Sequence, residues 1–98
     1  MLDIRVEDGN VFLAGVFDAS QVVTAEAVFD KVSDSTTVDF SDLEYISSAG
    51  LGVLLRTHKR LMGSAGGLKL INVNHHINDI LAYSGFDRLF EIETAEDR

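Results

Sequence analysis

Apolar and polar residues alternate along this chain with two spacings, near two residues in some segments and three or four in others. Residues 4–7 and 11–15 are apolar, β-branched runs flanking Asp8-Gly9-Asn10, and Asp-Gly between such runs predicts a hairpin. Ser20 is placed to cap a first helix, with Val22, Ala25, Phe29 and Val32 on one stripe. Its opening, Val22-Val23-Thr24, is poor by helix propensity. Residues 36–40 (TTVDF) predict a short central strand, with Leu43, Tyr45 and Ile46 in the connection after it. Residues 48–62 predict a longer helix with the stripe Leu51, Leu54, Leu55, His58, Leu61 and Met62. Arg56, Lys59 and Arg60 lie mostly off that stripe and suit the negative end of the helix dipole. Gly63 is placed as the residue after the helix, and Gly66-Gly67 completes a turn. Residues 68–73 (LKLINV) predict a strand. Asn74 predicts the cap of a third helix turning Ile77, Ile80 and Leu81 inward, and Gly85 its left-handed end. Residues 89–92 predict a last short strand, and residues 93–98 a polar, frayed tail.

Strands alternating with helices after an opening hairpin imply an α/β domain. Its sheet is mixed and four- to five-stranded, with about three main helices packed on it. The 98 residues allow a single domain spanning 1–98 and leave no room for a second. An apolar fraction of 46% and a charged fraction of 24% are ordinary for a folded protein. The absence of cysteine excludes disulfides, thiolate metal sites and a cysteine nucleophile. A net charge of -8 argues against nucleic acid, whose phosphates need clustered cations. No apolar run reaches a membrane span, and the start does not read as a signal peptide, so the expected compartment is the cytoplasm.

Candidate chemistry concentrates in Ile46-Ser47-Ser48-Ala49-Gly50-Leu51-Gly52, between a strand and the best-patterned helix. In α/β sheets, loops at the carboxyl ends of strands meet ligands and partners. Either serine can cap the helix, and a capping hydroxyl can also be phosphorylated, because a helix N-terminus tolerates added negative charge. The small residues Ala49, Gly50 and Gly52 fit a close approach by another protein, or close helix–sheet packing. Asp18, after the second strand, is a turn or capping acid that topology can bring to the same end of the sheet. Gly50-Leu51-Gly52 lacks the rest of a dinucleotide fingerprint, and neither a phosphate loop nor a nucleophile elbow is present. His58, His75 and His76 do not form a metal pattern, and no carboxylate pair has a glycosidase context. These residues indicate a binding protein with no catalytic group, metal or cofactor of its own.

The segments VDFSDLEYISSAGLGVLLRTHKRL and GGLKLINVNHHINDILAYSGFDRLFEI, with the earlier VFLAGVFDAS, resemble the STAS domain of bacterial anti-sigma factor antagonists. The resemblance runs from about Val11 to Ile92. It implies a partner switch in which the chain binds an anti-sigma serine kinase of the histidine-kinase-like ATPase superfamily and so frees a sigma factor. ATP or ADP belongs to the kinase. Phosphorylation of a serine at the start of the second helix switches binding off, and a PP2C-type phosphatase restores it. The family motif D-S-[ST]-G-L aligns its acceptor with Ser48, Ser47 being the less favoured candidate. Ser47 stands where the family often has Asp, and Ala49 where it often has Ser or Thr. Asp18 matches an acidic position near the acceptor. The implied partner surface is Asp18, Ser47, Ser48, Ala49, Gly50, Leu51 and Gly52, on a monomer. Two other outputs are open to such a domain. One is a phospho-switch controlling motility, biofilm or secretion; the other is a non-phosphorylated structural subunit of a lipid-transport complex.

Overall fold

The structure, a computed structural model, describes residues 1–33, 36–63 and 66–95. Its elements in chain order are β1 (Leu2–Glu7), β2 (Asn10–Phe17), α1 (Val22–Phe29), β3 (Thr36–Ile46), α2 (Ser48–Met62), β4 (Leu68–Val73), α3 (His75–Tyr83) and β5 (Glu91–Thr94). They form one mixed sheet in the order β1-β2-β3-β4-β5, with β1 antiparallel to β2 and the other neighbours parallel. This is the α/β architecture expected, at the upper end of its strand count.

Each helix carries the chain from one parallel strand to its immediate neighbour. Right-handed crossovers that all step the same way place their helices on one face of the sheet. Burial agrees: Val11, Leu13, Val38, Phe40, Leu68 and Leu70 form the helix-side floor of the core. The opposite face carries shorter-range pairings of exposed groups. Arg5 lies over the Phe12 ring at 4.9 Å, and Lys69 bridges Glu91 and Glu93 at 3.5 and 3.7 Å.

The opening hairpin forms as expected, with Asp8 and Gly9 both left-handed at φ 52° and 81°, the backbone that its two-residue turn demands. Further along, Gly15 has φ 94°, and a Cβ there would meet the Met1 carbonyl oxygen at 2.3 Å. That close approach accompanies an irregularity in the β2–β3 pairing between Gly15 and Val16, after which Phe17 turns into the core.

Four sequence expectations need correction. The first helix opens with a 3-10 turn over Ala19–Gln21 capped by Asp18, not Ser20. The Ser20 hydroxyl donates to the Asp18 carboxylate instead, and Val32 lies beyond the end of α1. The central strand runs to Ile46, so Leu43, Tyr45 and Ile46 are strand residues paired with β2 rather than a connection. Gly63 keeps a right-handed φ of -71°, and the left-handed glycines are Gly66 and Gly67. The last strand begins at Glu91, Leu89 being exposed in a turn, and Glu93 and Thr94 belong to the strand rather than to the tail. Residues 96–98 of that tail lie outside the described residues.

Along α2, Leu51, Leu54, His58 and Leu61 are buried as the stripe requires, while Met62 is exposed. Asn74 caps α3 through Ile77 N–H at 2.8 Å, Ile77 and Leu81 are buried, and Gly85 is left-handed.

Candidate functional site

Two strand ends build the site. Strands β2 and β3 run parallel, with Phe17 opposite Ile46. The Ser47 N–H donates to the Phe17 carbonyl at 2.9 Å. Asp18 follows Phe17 and Ser48 follows Ser47, so this one backbone bond draws the acidic loop to the start of α2. The expectation that Asp18 and the serine segment share one end of the sheet is met.

The two serines then divide the work. Ser47 has the extended backbone of an N-cap, and its Oγ accepts from Gly50 N–H at 3.2 Å. Its carbonyl accepts from Leu51 N–H at 2.9 Å, opening the helical ladder. Ser48 is the first residue inside α2; it is exposed, and its hydroxyl makes no hydrogen bond to another described residue. The N–H groups of Ser48 and Ala49 belong to the first turn, where the helix supplies no acceptor. The segment presents a free hydroxyl beside unpaired donors at the positive end of a 15-residue helix.

Asp18 is held rather than loose. Its Oδ1 accepts from Ser20 N–H at 3.1 Å and from the Ser20 hydroxyl. The hydroxyl bond, foremost, holds its carboxyl below the ordinary aspartate pKa. Asp18 therefore adds a fixed negative charge to a patch whose own segment, 45–56, has no acidic residue.

The structure separates the small residues by role. Gly50 is buried, and a Cβ on it would stand 2.9 Å from Ile46 and 3.0 Å from the Phe17 ring. Leu51 is 1% exposed and belongs to the core. Neither offers a side-chain surface to a partner, which corrects their placement in the contact surface: they seat α2 on the sheet so that Ser48 faces outward. Ala49 and Gly52 are partly exposed. A Cβ on Gly52 would meet only the Arg56 guanidinium, at 3.4 Å.

Two residues of this end went unread in the sequence. Phe17 positions both the loop and Gly50. Val23, in the first turn of α1, is 79% exposed, an apolar side chain at the same end of the sheet as Ser48. Its signal was partial: Val23 and Val28 are the two α1 valines that fall off the stripe. Behind the site, Arg56 pairs with Glu26 at 2.5 Å and Arg60 donates to the Phe29 carbonyl at 2.9 Å, tying α2 to α1.

The histidines stay apart. His58 is buried, with Nδ1 accepting from Leu68 N–H at 2.9 Å and its ring 4.6 Å from that of Phe90. His75 and His76 are exposed. Among the described residues, no group of three or more His, Cys, Asp or Glu could hold a metal, and no helix is long and apolar enough to cross a membrane.

The family model described as "Mlab, STAS domain" matches residues 1–92. A Bordetella bronchiseptica protein assigned as an anti-sigma factor antagonist, BtrV, is 32% identical over 89 residues, covering 87% of this chain and 77% of that protein. The chain belongs to the STAS-domain anti-sigma factor antagonist family. Among solved structures, an anti-sigma factor antagonist from Mycobacterium paratuberculosis superposes with a TM-score of 0.80 at 22% identity, covering 99% of this chain and 88% of that one. SpoIIAA, a Bacillus cell fate determinant solved in its phosphorylated form, gives 0.67 at 20% identity, covering 99% and 95%. At those identities the two structures establish the STAS fold.

Proposed function

We propose that this STAS domain is an anti-sigma factor antagonist controlled by phosphorylation of Ser48. Unmodified, it binds an anti-sigma serine kinase of the histidine-kinase-like ATPase superfamily through the end of the sheet that carries Asp18, Ser47, Ser48, Ala49 and Gly52. The kinase then releases its sigma factor. The kinase supplies ATP, the Ser48 hydroxyl oxygen attacks the γ-phosphorus, and ADP leaves. A PP2C-type phosphatase hydrolyses the ester and resets the switch. The chain itself binds no cofactor and catalyses no reaction. It acts in the cytoplasm as a monomer.

One observation carries this reading: the hydroxyl of Ser48 is exposed at the helix start with no hydrogen-bond partner among the described residues, while that of Ser47 is committed to capping. Family membership and relatives assigned as anti-sigma factor antagonists support it. A phosphate on Ser48 gains from the helix dipole inside the domain. At an interface that must cover the same patch it becomes a buried, unpaired anion, which costs several kcal/mol and weakens binding by orders of magnitude.

The test uses Ser48→Asp, Ser48→Ala and wild type in a pull-down from native lysate read by mass spectrometry, followed by titration of the recovered kinase. Wild type and Ser48→Ala are expected to bind alike, and Ser48→Asp at least about 100-fold more weakly. Intact-mass analysis with kinase and ATP should add one phosphate to wild type and none to Ser48→Ala. Equal binding by Ser48→Asp overturns the switch. Recovery of a permease or ATP-binding transporter instead would favour a structural subunit.

A further inference from the structure

The sheet has two edges, and the chain treats them differently. Strand β5 is four residues long, carries Glu91 and Glu93, and pairs irregularly with β4 between Leu70 and Val73. Shortness, charge and irregular pairing keep an edge from pairing further. Strand β1 is less guarded. It is six residues long and holds a continuous register with β2 from Leu2 to Glu7. Its helix-side row, Leu2, Ile4 and Val6, is wholly apolar, and Val6 is 55% exposed. Residues 34–35, 64–65 and 96–98 adjoin β3, β4 and β5 in sequence, strands that lie two or more places from this edge.

The backbone of β1 is oriented for pairing. Glu7 and Asn10 close the two-residue turn, so Glu7, Arg5 and Asp3 exchange their N–H and C=O bonds with β2. The Met1 carbonyl, of the same parity, accepts from Val16 N–H at 2.8 Å. The N–H and C=O groups of Leu2, Ile4 and Val6 therefore point away from β2.

We propose that β1 pairs antiparallel with β1 of a second copy of this chain, about a twofold axis at Ile4. Leu2-Asp3-Ile4-Arg5-Val6 is its own antiparallel complement. In that register Ile4 faces Ile4, Leu2 faces Val6, and Asp3 faces Arg5 of the other copy. The three outward-pointing residues all find backbone partners, and two opposite-charge pairs form on the open face. An axis at Arg5 would set Arg5 against itself and Asp3 against Glu7, and an axis at Asp3 would set Asp3 against itself. Residues 2–6 are neutral in sum, within a chain of net charge -8. An edge of six residues is short beside the roughly 20–30 residues a side of a standard interface. The dimer accordingly forms in concentrated protein and dissociates on dilution, and the monomer is the form that meets the kinase.

The full chain is followed by sedimentation and amide hydrogen exchange from about 10 μM to about 1 mM. A concentration-dependent change from one-chain to two-chain mass is expected. With it, exchange should slow at Leu2, Ile4 and Val6, and change least at Asp3, Arg5 and Glu7, which are already bonded to β2. Asp3→Lys and Arg5→Glu each create like-charge pairs across the axis and should weaken self-pairing about fivefold or more. Mixed together, the two variants complement each other and should recover wild-type affinity as a mixed dimer. Val6→Pro removes an outward donor at an edge position that accepts proline and should abolish pairing; the charge variants test the proposal even if it fails to fold. A one-chain mass at about 1 mM, slowed exchange centred on other residues, undiminished self-pairing by Asp3→Lys, or no recovery on mixing would each overturn the proposal.

Discussion

Ser47 and Ser48 are adjacent and chemically identical, and the fold gives them opposite duties. Ser47→Ala removes the cap acceptor of α2 and should cost about 1 kcal/mol in urea unfolding. Ser47→Asp should restore it, because aspartate caps as well as serine does. Gly50 and Gly52 make a second contrast. Gly50→Ala would press a methyl group against Ile46 and Phe17 and should destabilise by about 1–3 kcal/mol. Gly52→Ala meets only the exposed Arg56 guanidinium, in ordinary contact at 3.4 Å, and should be neutral or stabilising by up to about 1 kcal/mol, the helix-propensity difference. Thermal and urea unfolding of the pair would separate packing from propensity. For Asp18, the lowered carboxyl pKa means that the folded state favours the ionised form. Its contribution is therefore present above the unfolded pKa and lost as pH falls through the folded one. Asp18→Asn should lower stability slightly at neutral pH, and the difference from wild type should vanish below the usual carboxylate range.

At the scale of elements, α2 is where sequence and structure agree most closely. Its bounds, most of its stripe and a serine at its start were legible, Met62 being the stripe residue that proves exposed, since a strongly periodic 15-residue helix with a cap at one end leaves few alternatives. Strand β3 was not. Residues 41–46 read SDLEYI, with exposed Ser41 and Asp42 before buried Leu43, and exposed Glu44 and Tyr45 between Leu43 and buried Ile46. The apolar spacing of three breaks strand alternation, because the β2–β3 pairing shifts register on the way. Only a partner strand makes such a segment extended. His58 joins elements in a similar way: it sits on α2, accepts from the first residue of β4 and packs on Phe90 before β5. His58→Leu keeps an apolar side chain in the stripe but leaves the buried Leu68 N–H without its acceptor. A loss of about 1–3 kcal/mol is expected in urea unfolding.

Across the whole molecule, the charge of -8 is distributed away from residues 45–56, and the fold brings two carboxylates to their side, Asp18 at the start and Glu26 on Arg56. A phosphate on Ser48 would feel the helix dipole and Asp18 with opposite signs. Under the proposed switch, its effect on folding is expected to be small and its effect on association large. Ser48→Asp should keep the wild-type circular dichroism spectrum and remain within about 1 kcal/mol of wild type in urea unfolding, even as kinase binding collapses. Sequential crossovers also leave the molecule two-sided, with helices on one face and the charged ladder of Arg5, Lys69, Glu91 and Glu93 on the other.

By itself the sequence determined the α/β alternation, the Asp-Gly hairpin, the helix over residues 48–62 and the serine pair at its start. These depend on period, propensity and capping, which act over a few neighbouring residues. The tertiary structure decided which serine caps and which is free, that Gly50 and Leu51 face inward, that β3 continues to Ile46, and that Asp18 lies beside Ser47. Those outcomes rest on the β2–β3 register and on packing against Phe17, contacts between residues some thirty positions apart. Such contacts are selected by the burial summed over the whole sheet, and local pattern carries no record of them.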